Sequence, residues 1–173
     1  MTNPRTVGVT TKPNVDVTGL RSITMFERIL VPTDGSPHAT TAIEDAIELA
    51  ADQDATLHAL SVADSGPLGD VRLPGEAANP SEALAERAQG FVDDAVERAE
   101  AAGVEATGTV RNGPPSSEIL EYGREIDADV IVMGSRGRGG LHRMAVGSVA
   151  DHVIRFGEFR VLVVDAGEDA ADA

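Results

Sequence analysis

An open, doubly wound α/β domain is the fold this sequence predicts: a five-stranded parallel sheet in the order 3-2-1-4-5, with four helices on its two faces. Two observations carry that expectation. Short apolar runs alternate strictly with longer segments of helical period. The central runs, Ile29-Leu30-Val31 and Val130 to Met133, are continuously apolar, as in strands covered on both faces. Right-handed crossovers then wind the chain outward in both directions from its first strand. In such sheets a ligand sits past the carboxyl ends of the strands, where the winding reverses. Here that point lies between the first and fourth strands.

Residues 1–24 carry Pro4, Gly8, Pro13 and Gly19, show no sustained period, and read as a disordered tail. The expected domain spans residues 25–165. Glu27 to Thr33 is the first strand. Asp34-Gly35-Ser36-Pro37 is a turn, with Ser36 placed to cap a helix and Pro37 at its first position. Ala39, Ile43, Ala46, Ile47 and Ala50 share one helical face, and Glu44, Asp45 and Glu48 the other. Ala55 to Val62 is the second strand. Residues 64–79 hold Gly66, Pro67, Gly69, Pro74 and Gly75, a loop long enough to be a lid or an insertion.

A second helix runs from Pro80 to about Ala102, with Leu84, Ala88, Phe91, Ala95 and Ala99 as its apolar stripe and Gly103 as its stop. Val104 to Arg111 is the third strand. Gly113-Pro114-Pro115-Ser116 opens a third helix that turns Ile119, Leu120, Tyr122 and Ile126 inward. Ala128 to Met133 is the fourth strand, followed by a glycine-rich loop. Gly147-Ser148 opens the last helix, and Phe159 to Val164 is the fifth strand. Residues 166–173 form an acidic tail.

Composition narrows the function classes. Apolar residues make up 42% of the 173 but aromatics only 3%, so the core is built from Val, Ile, Leu and Ala. The absence of cysteine excludes disulfides, thiolate metal sites and cysteine nucleophiles. No apolar run approaches the ~20 residues that span a bilayer, and the first residues lack the apolar segment of a signal peptide. A cytoplasmic protein is the expectation. With 29 acidic residues against 14 basic, the net charge is -15. Such a surface repels nucleic acid and anionic membranes, so neither is an expected partner. It also suits a halophilic setting, where screening removes self-repulsion. The melting temperature is then expected to rise between dilute buffer and molar KCl; indifference to salt would count against that reading.

The chemistry is concentrated after the fourth strand. A Walker A loop needs Gly-Lys-Ser/Thr, but the sole lysine is Lys12. The dinucleotide fingerprint starting at Gly137 finds Gly139 but then His142, and it follows the wrong strand. What the chain does present is Gly134-x2-Gly137-x9-Gly147-Ser148. A buried strand, a flexible loop and a fresh helix N-terminus make an anion site from bare amides and the helix dipole. Arg136, Arg138 and Arg143 add a positive patch to an acidic chain, and arginine matches phosphate geometry. Each residue alone has a plainer reading: Asp34 as a turn residue, Ser148 as an N-cap, the arginines as a solvated loop.

That glycine pattern, together with Ile29-Leu30-Val31-Pro32-Thr33-Asp34-Gly35-Ser36 and Ser61-Val62-Ala63-Asp64, resembles the nucleotide-binding pattern of the universal stress protein (UspA) family. The resemblance covers about Met25 to Val164 and neither tail. It implies an ATP-binding member, a nucleotide-dependent stress-response regulator rather than a dedicated catalyst. It places Asp34 at the ribose and adenine side, the Val62 backbone at the adenine edge, and Pro32 and Thr33 in the wall. Met133 and Gly134 then lie near the ribose, while Gly137, Gly147, Ser148 and Val149 hold phosphates. Mg²⁺ would accompany the phosphates, with Asp34 or Asp64 in reach of it. The family commonly dimerises through its last strand. Here Arg160 to Val164 would leave an apolar edge, and a homodimer with an unknown further protein partner is expected.

Two alternatives stand beside this reading: a nucleotide-free interaction protein of the same fold, and a slow adenine-nucleotide hydrolase. Ser135, His142 and Asp151 are hydrolase residue types, but there is no Gly-x-Ser-x-Gly elbow and no third group to orient His142. His142 and His152 read as surface residues. No His/carboxylate cluster has metal-ligand spacing. A pyrophosphatase-like loop would want Ser-Gly-Gly-x-Asp-Ser after the first strand, where this chain has Asp-Gly-Ser-Pro.

Overall fold

Ile29, Leu30 and Val31 have no exposed surface on either side of the first strand. That burial explains why the strand sequence shows no polar alternation. The computed structural model describes residues 25–64, 80–137 and 146–166. The chain order is β1 (Arg28–Pro32), α1 (Pro37–Gln53), β2 (Thr56–Ala63), α2 (Pro80–Ala101), β3 (Ala106–Asn112), α3 (Pro115–Glu125), β4 (Val130–Gly134), α4 (Ser148–Phe156) and β5 (Arg160–Val164). All strand pairs are parallel, in the order β3-β2-β1-β4-β5. Ile29 pairs with Leu57 on one side and Val130 on the other. The expected N-terminal tail, the loop after Asp64 and, beyond Ala166, the C-terminal tail fall outside the described residues.

Successive side chains of a strand go to opposite faces, and the two cores sort accordingly. Ile29, Val31, Leu57, Ala59 and Val132 pack with Ala46 and Ile47 of α1 and Ala95 and Ala99 of α2. Leu30, Leu60 and Ile131 pack with Ile119 and Leu120 of α3 and Val153 of α4. Helices therefore cover both faces, as the alternation of elements predicts.

Three local expectations change. The buried stripe of α2 is Ala88, Val92, Ala95 and Ala99, while Leu84 is 38% exposed. Phe91 sits beside the stripe because it packs on the Gly35 turn; a Cβ added there would lie 2.3 Å from its ring. β3 starts two residues later than the apolar run, because the Val104 amide still donates to Ala99 of α2 at 2.9 Å. At α4 the N-cap is Gly147, without a side-chain cap, and Ser148 is an exposed first helical residue. At α1 the cap is as read: the Ala39 amide donates to Ser36 Oγ at 3.2 Å.

His58 on β2 lies 2.9 Å from Thr107 Oγ1 through its Nδ1. Burial first, and the Arg28 charge second, push its pKa below the ordinary imidazole value, with Glu105 pulling the other way. A depressed histidine binds fewer protons folded than unfolded. Stability is then lost as pH falls from about 6.5 toward the lower folded pKa, and is unaffected above it. The His58→Gln variant is expected to lose less stability than the wild type between about pH 7 and about pH 5, read from urea midpoints at both pH values.

Candidate functional site

β1 and β4 are hydrogen-bonded neighbours whose chains depart in different directions, β1 into α1 on one face and β4 toward α4 on the other. Their carboxyl ends open into a cavity of about 410 Å³. This is the reversal point that the strand order requires.

The β1 side is a self-braced turn. Asp34 Oδ1 accepts the Ser36 amide at 3.0 Å, and Thr33 Oγ1 accepts the Gly35 amide at 3.2 Å. Gly35 has φ of 71°, which suits glycine. On the β4 side, the Ser135 amide donates to Val164 O at 2.6 Å, and the Gly147 amide donates to Ser135 O at 2.7 Å. The second bond closes the base of the glycine loop, although residues 138–145 themselves lie outside the described residues. The two reversals touch. A Cβ added to Gly137 would lie 2.6 Å from Asp34 Oδ2, and Ser36 Oγ lies 3.5 Å from Arg136 O.

Eleven of the residues named from the sequence line this one cavity, and Asp64, named as a Mg²⁺ contact, does not. Pro32, Thr33 and Asp34 come from the end of β1 and Val62 from β2. Met133, Gly134, Arg136 and Gly137 come from β4 and the loop after it, and Gly147, Ser148 and Val149 from the start of α4. Arg138, Arg143 and His142 fall outside the described residues. The walls also include Leu60, Pro115, Ile119 and Ser135, which the sequence reading did not place there. Pro115 and Ile119 belong to the first turns of α3, and only the fold brings them to the ends of β1 and β2. Ser135 carried a readable signal, as the first variable position inside the glycine pattern.

Leu60, Val62, Pro115 and Ile119 line the cavity on the β2 side; the glycines, Ser148 and Arg136, together with Met133, Val149 and Ala150, line it on the β4 side. The first ladder bond of α4 runs from the Asp151 amide to Gly147 O at 2.9 Å. The amides of Ser148, Val149 and Ala150 therefore precede the ladder at a cavity wall. Two side-chain atoms there are buried with no hydrogen-bond partner among the described residues, Ser135 Oγ and Arg136 Nε. Leaving such an atom unsatisfied costs about 1–3 kcal/mol, so an oxygen-rich occupant fits this wall.

Of the hydrolase residue types, His142 lies outside the described residues, and no bond joins Ser135 and Asp151. Asp151 Oδ1 is held by Arg155 Nε at 2.8 Å, and Ser135 Oγ has no base within bonding distance among the described residues. Among those residues there is no group of three metal-ligating side chains, and no helix is long and apolar enough to cross a membrane.

Comparison with known proteins converges on one family. The model of the universal stress protein family matches residues 25–165. A universal stress protein of Methanocaldococcus jannaschii is 36% identical over 140 residues, covering 81% of this chain and 82% of the relative. Among solved structures, universal stress protein UspA from Lactobacillus plantarum aligns with a TM-score of 0.68 and 29% identity, over 80% of this chain and 97% of that one. A universal stress protein solved in complex with cAMP aligns with a TM-score of 0.64 and 26% identity, over 83% and 99% of the two chains.

Proposed function

The chain belongs to the universal stress protein family, and from that premise we propose that it binds an adenine nucleotide, ATP foremost, between β1 and β4 and acts as a nucleotide-dependent stress-response regulator. The observation that carries this reading is the pairing of Ser135 Oγ and Arg136 Nε, buried without partners among the described residues, with the first amides of α4 in a cavity that also has apolar lining. One wall takes a flat, largely apolar base. The other takes an anion.

In this reading Val62, Ile119 and Pro115 hold adenine, Asp34 and Met133 flank the ribose, and Gly137, Gly147, Ser148 and Val149 receive phosphates. Glycine at 134 and 137 leaves room for His38 and Asp34, which an added Cβ would meet at 2.7 Å and 2.6 Å. Mg²⁺ comes with the nucleotide, as one partner of its phosphate oxygens. The protein is read as a switch rather than a catalyst: Asp34, the one carboxylate among the described lining residues, is engaged in bracing the turn into α1. Nucleotide bound at this wall would change the surface offered to a partner protein. The apolar β5 edge, where Leu162 is 44% exposed, is read as the homodimer seam; sedimentation as a monomer at micromolar concentration would reject it. A cytoplasmic location accompanies this role.

Titration calorimetry with ATP, and cAMP as a competing arm, tests the reading. A dissociation constant in the range of about 1–100 µM is expected. No heat with ATP, AMP or cAMP would favour the nucleotide-free interaction protein. ATP turnover that falls in Asp34→Ala while binding persists would favour the hydrolase.

A further inference from the structure

The cavity's arginine is already engaged, from outside the cavity. Asp165, the first residue after β5, places both carboxylate oxygens 3.4 Å from Arg136 Nη2. The same carboxylate reaches His38 on the first turn of α1, with Oδ1 3.1 Å from Nδ1. The next amide, that of Ala166, donates to that same Nδ1 at 3.0 Å. The segment after β5 is thus pinned on α1, and the pin sets Asp165 opposite Arg136. The Arg136 side chain is only 20% exposed and lines the cavity, whereas Asp165 is 54% exposed and does not.

The contact is long for a charge-assisted pair, which closes to about 2.7–2.9 Å when optimal. A phosphate oxygen in the cavity can take over the guanidinium at little cost. A neutral ligand cannot, and it leaves the pair as it stands. We propose that Asp165 is a specificity-determining residue, a counter-charge that sets how much negative charge a ligand must bring before Arg136 turns to it. This rests on the reading of the cavity as a nucleotide site and extends it, because the ranking of ligands by charge is assigned to a residue outside the cavity. Neither Asp165 nor His38 belongs to the glycine pattern.

Adenosine, AMP and ATP are titrated into the full chain and its variants at one fixed ionic strength. Asp165→Asn is expected to tighten ATP by about tenfold, AMP by less and adenosine not at all. In an Arg136→Gln background the same substitution is expected to change nothing, because the counter-charge acts through that guanidinium. Asp151→Asn, an equal change of charge at α4, is the control for the general field and is expected to give a smaller gain.

Equal gains for adenosine and ATP, a gain that persists without Arg136, or a gain no larger than that of Asp151→Asn would each overturn the assignment. Those outcomes leave the nucleotide site standing. Absence of binding by adenosine, AMP and ATP in every form overturns both readings.

Discussion

Gly134→Val is expected to lower the melting temperature by roughly 5–10 °C, the equivalent of about 2–3 kcal/mol in a domain of this size. A Cβ at this position would lie 2.7 Å from the carbonyl carbon of His38 and 2.9 Å from its oxygen. Those are backbone atoms in the first turn of α1, so no rotamer change relieves the contact. Nor can either element move easily. α1 is fixed at its start by the Ser36 cap, and β4 is held between β1 and β5, with Gly134 itself in register with Val164. Valine adds two further carbons to the collision. Gly90 supplies the control. It faces outward from α2 with nothing within 4 Å of an added Cβ, and Gly90→Ala is expected to stabilise by about 0.5–1 kcal/mol through helix propensity. Thermal unfolding of the two variants checks both signs. A Gly134→Val protein that melts like the wild type would mean that α1 does not press on β4 at this point.

The close approach at Gly134 also shows what a sequence can and cannot convey. The architecture was legible because strand burial on both faces writes itself as uninterrupted apolar runs, as at Ile29–Val31 and Val130–Met133. It was legible too because turn chemistry is local, so Ser36 and Pro37 announced α1 without help from the rest of the chain. The glycine pattern follows β4, and topology forces the ends of β1 and β4 to be neighbours. What stayed hidden depends on three-dimensional contact at one-residue precision. Nothing in the periodicity of α2 distinguishes Val92 in the core from Phe91 beside it. Phe91 is drawn aside by the space above Gly35. Pro115 and Ile119 reach the cavity through a crossover whose register no local pattern encodes. Asp165 is the last residue of the expected domain, yet it lies 3.1 Å from Nδ1 of His38, 127 positions earlier, the same nitrogen that accepts the Ala166 amide. The N-cap of α4 was misassigned for a different reason. Glycine and serine both serve at that position, and only the backbone angles of Gly147 decide between them.

Substituting Gly137 is expected to weaken ATP binding by roughly ten- to a hundredfold, the loss of one charge-assisted contact of about 1.5–3 kcal/mol. Gly137 is not among the positive-φ residues, so alanine is allowed by the backbone and only space opposes it. The space is taken by Asp34 Oδ2, 2.6 Å from the added carbon. Asp34 cannot simply rotate away, because its other oxygen holds the Ser36 amide at 3.0 Å and with it the turn into α1. Alanine at 137 therefore either pushes the carboxylate out of place or lifts the loop off it. The double variant tells which role Asp34 plays. If the carboxylate meets the ligand, then Asp34→Ala, Gly137→Ala and the pair together lose binding to a similar extent, because the two single changes remove the same interaction. If Asp34 only braces the turn, Asp34→Ala lowers the melting temperature while leaving affinity near the wild type. Combined with Gly137→Ala, it then restores the binding that the glycine substitution took away. Calorimetry with ATP on four proteins separates these outcomes, and full recovery in the double variant would remove Asp34 from the nucleotide site while leaving the glycine loop in it.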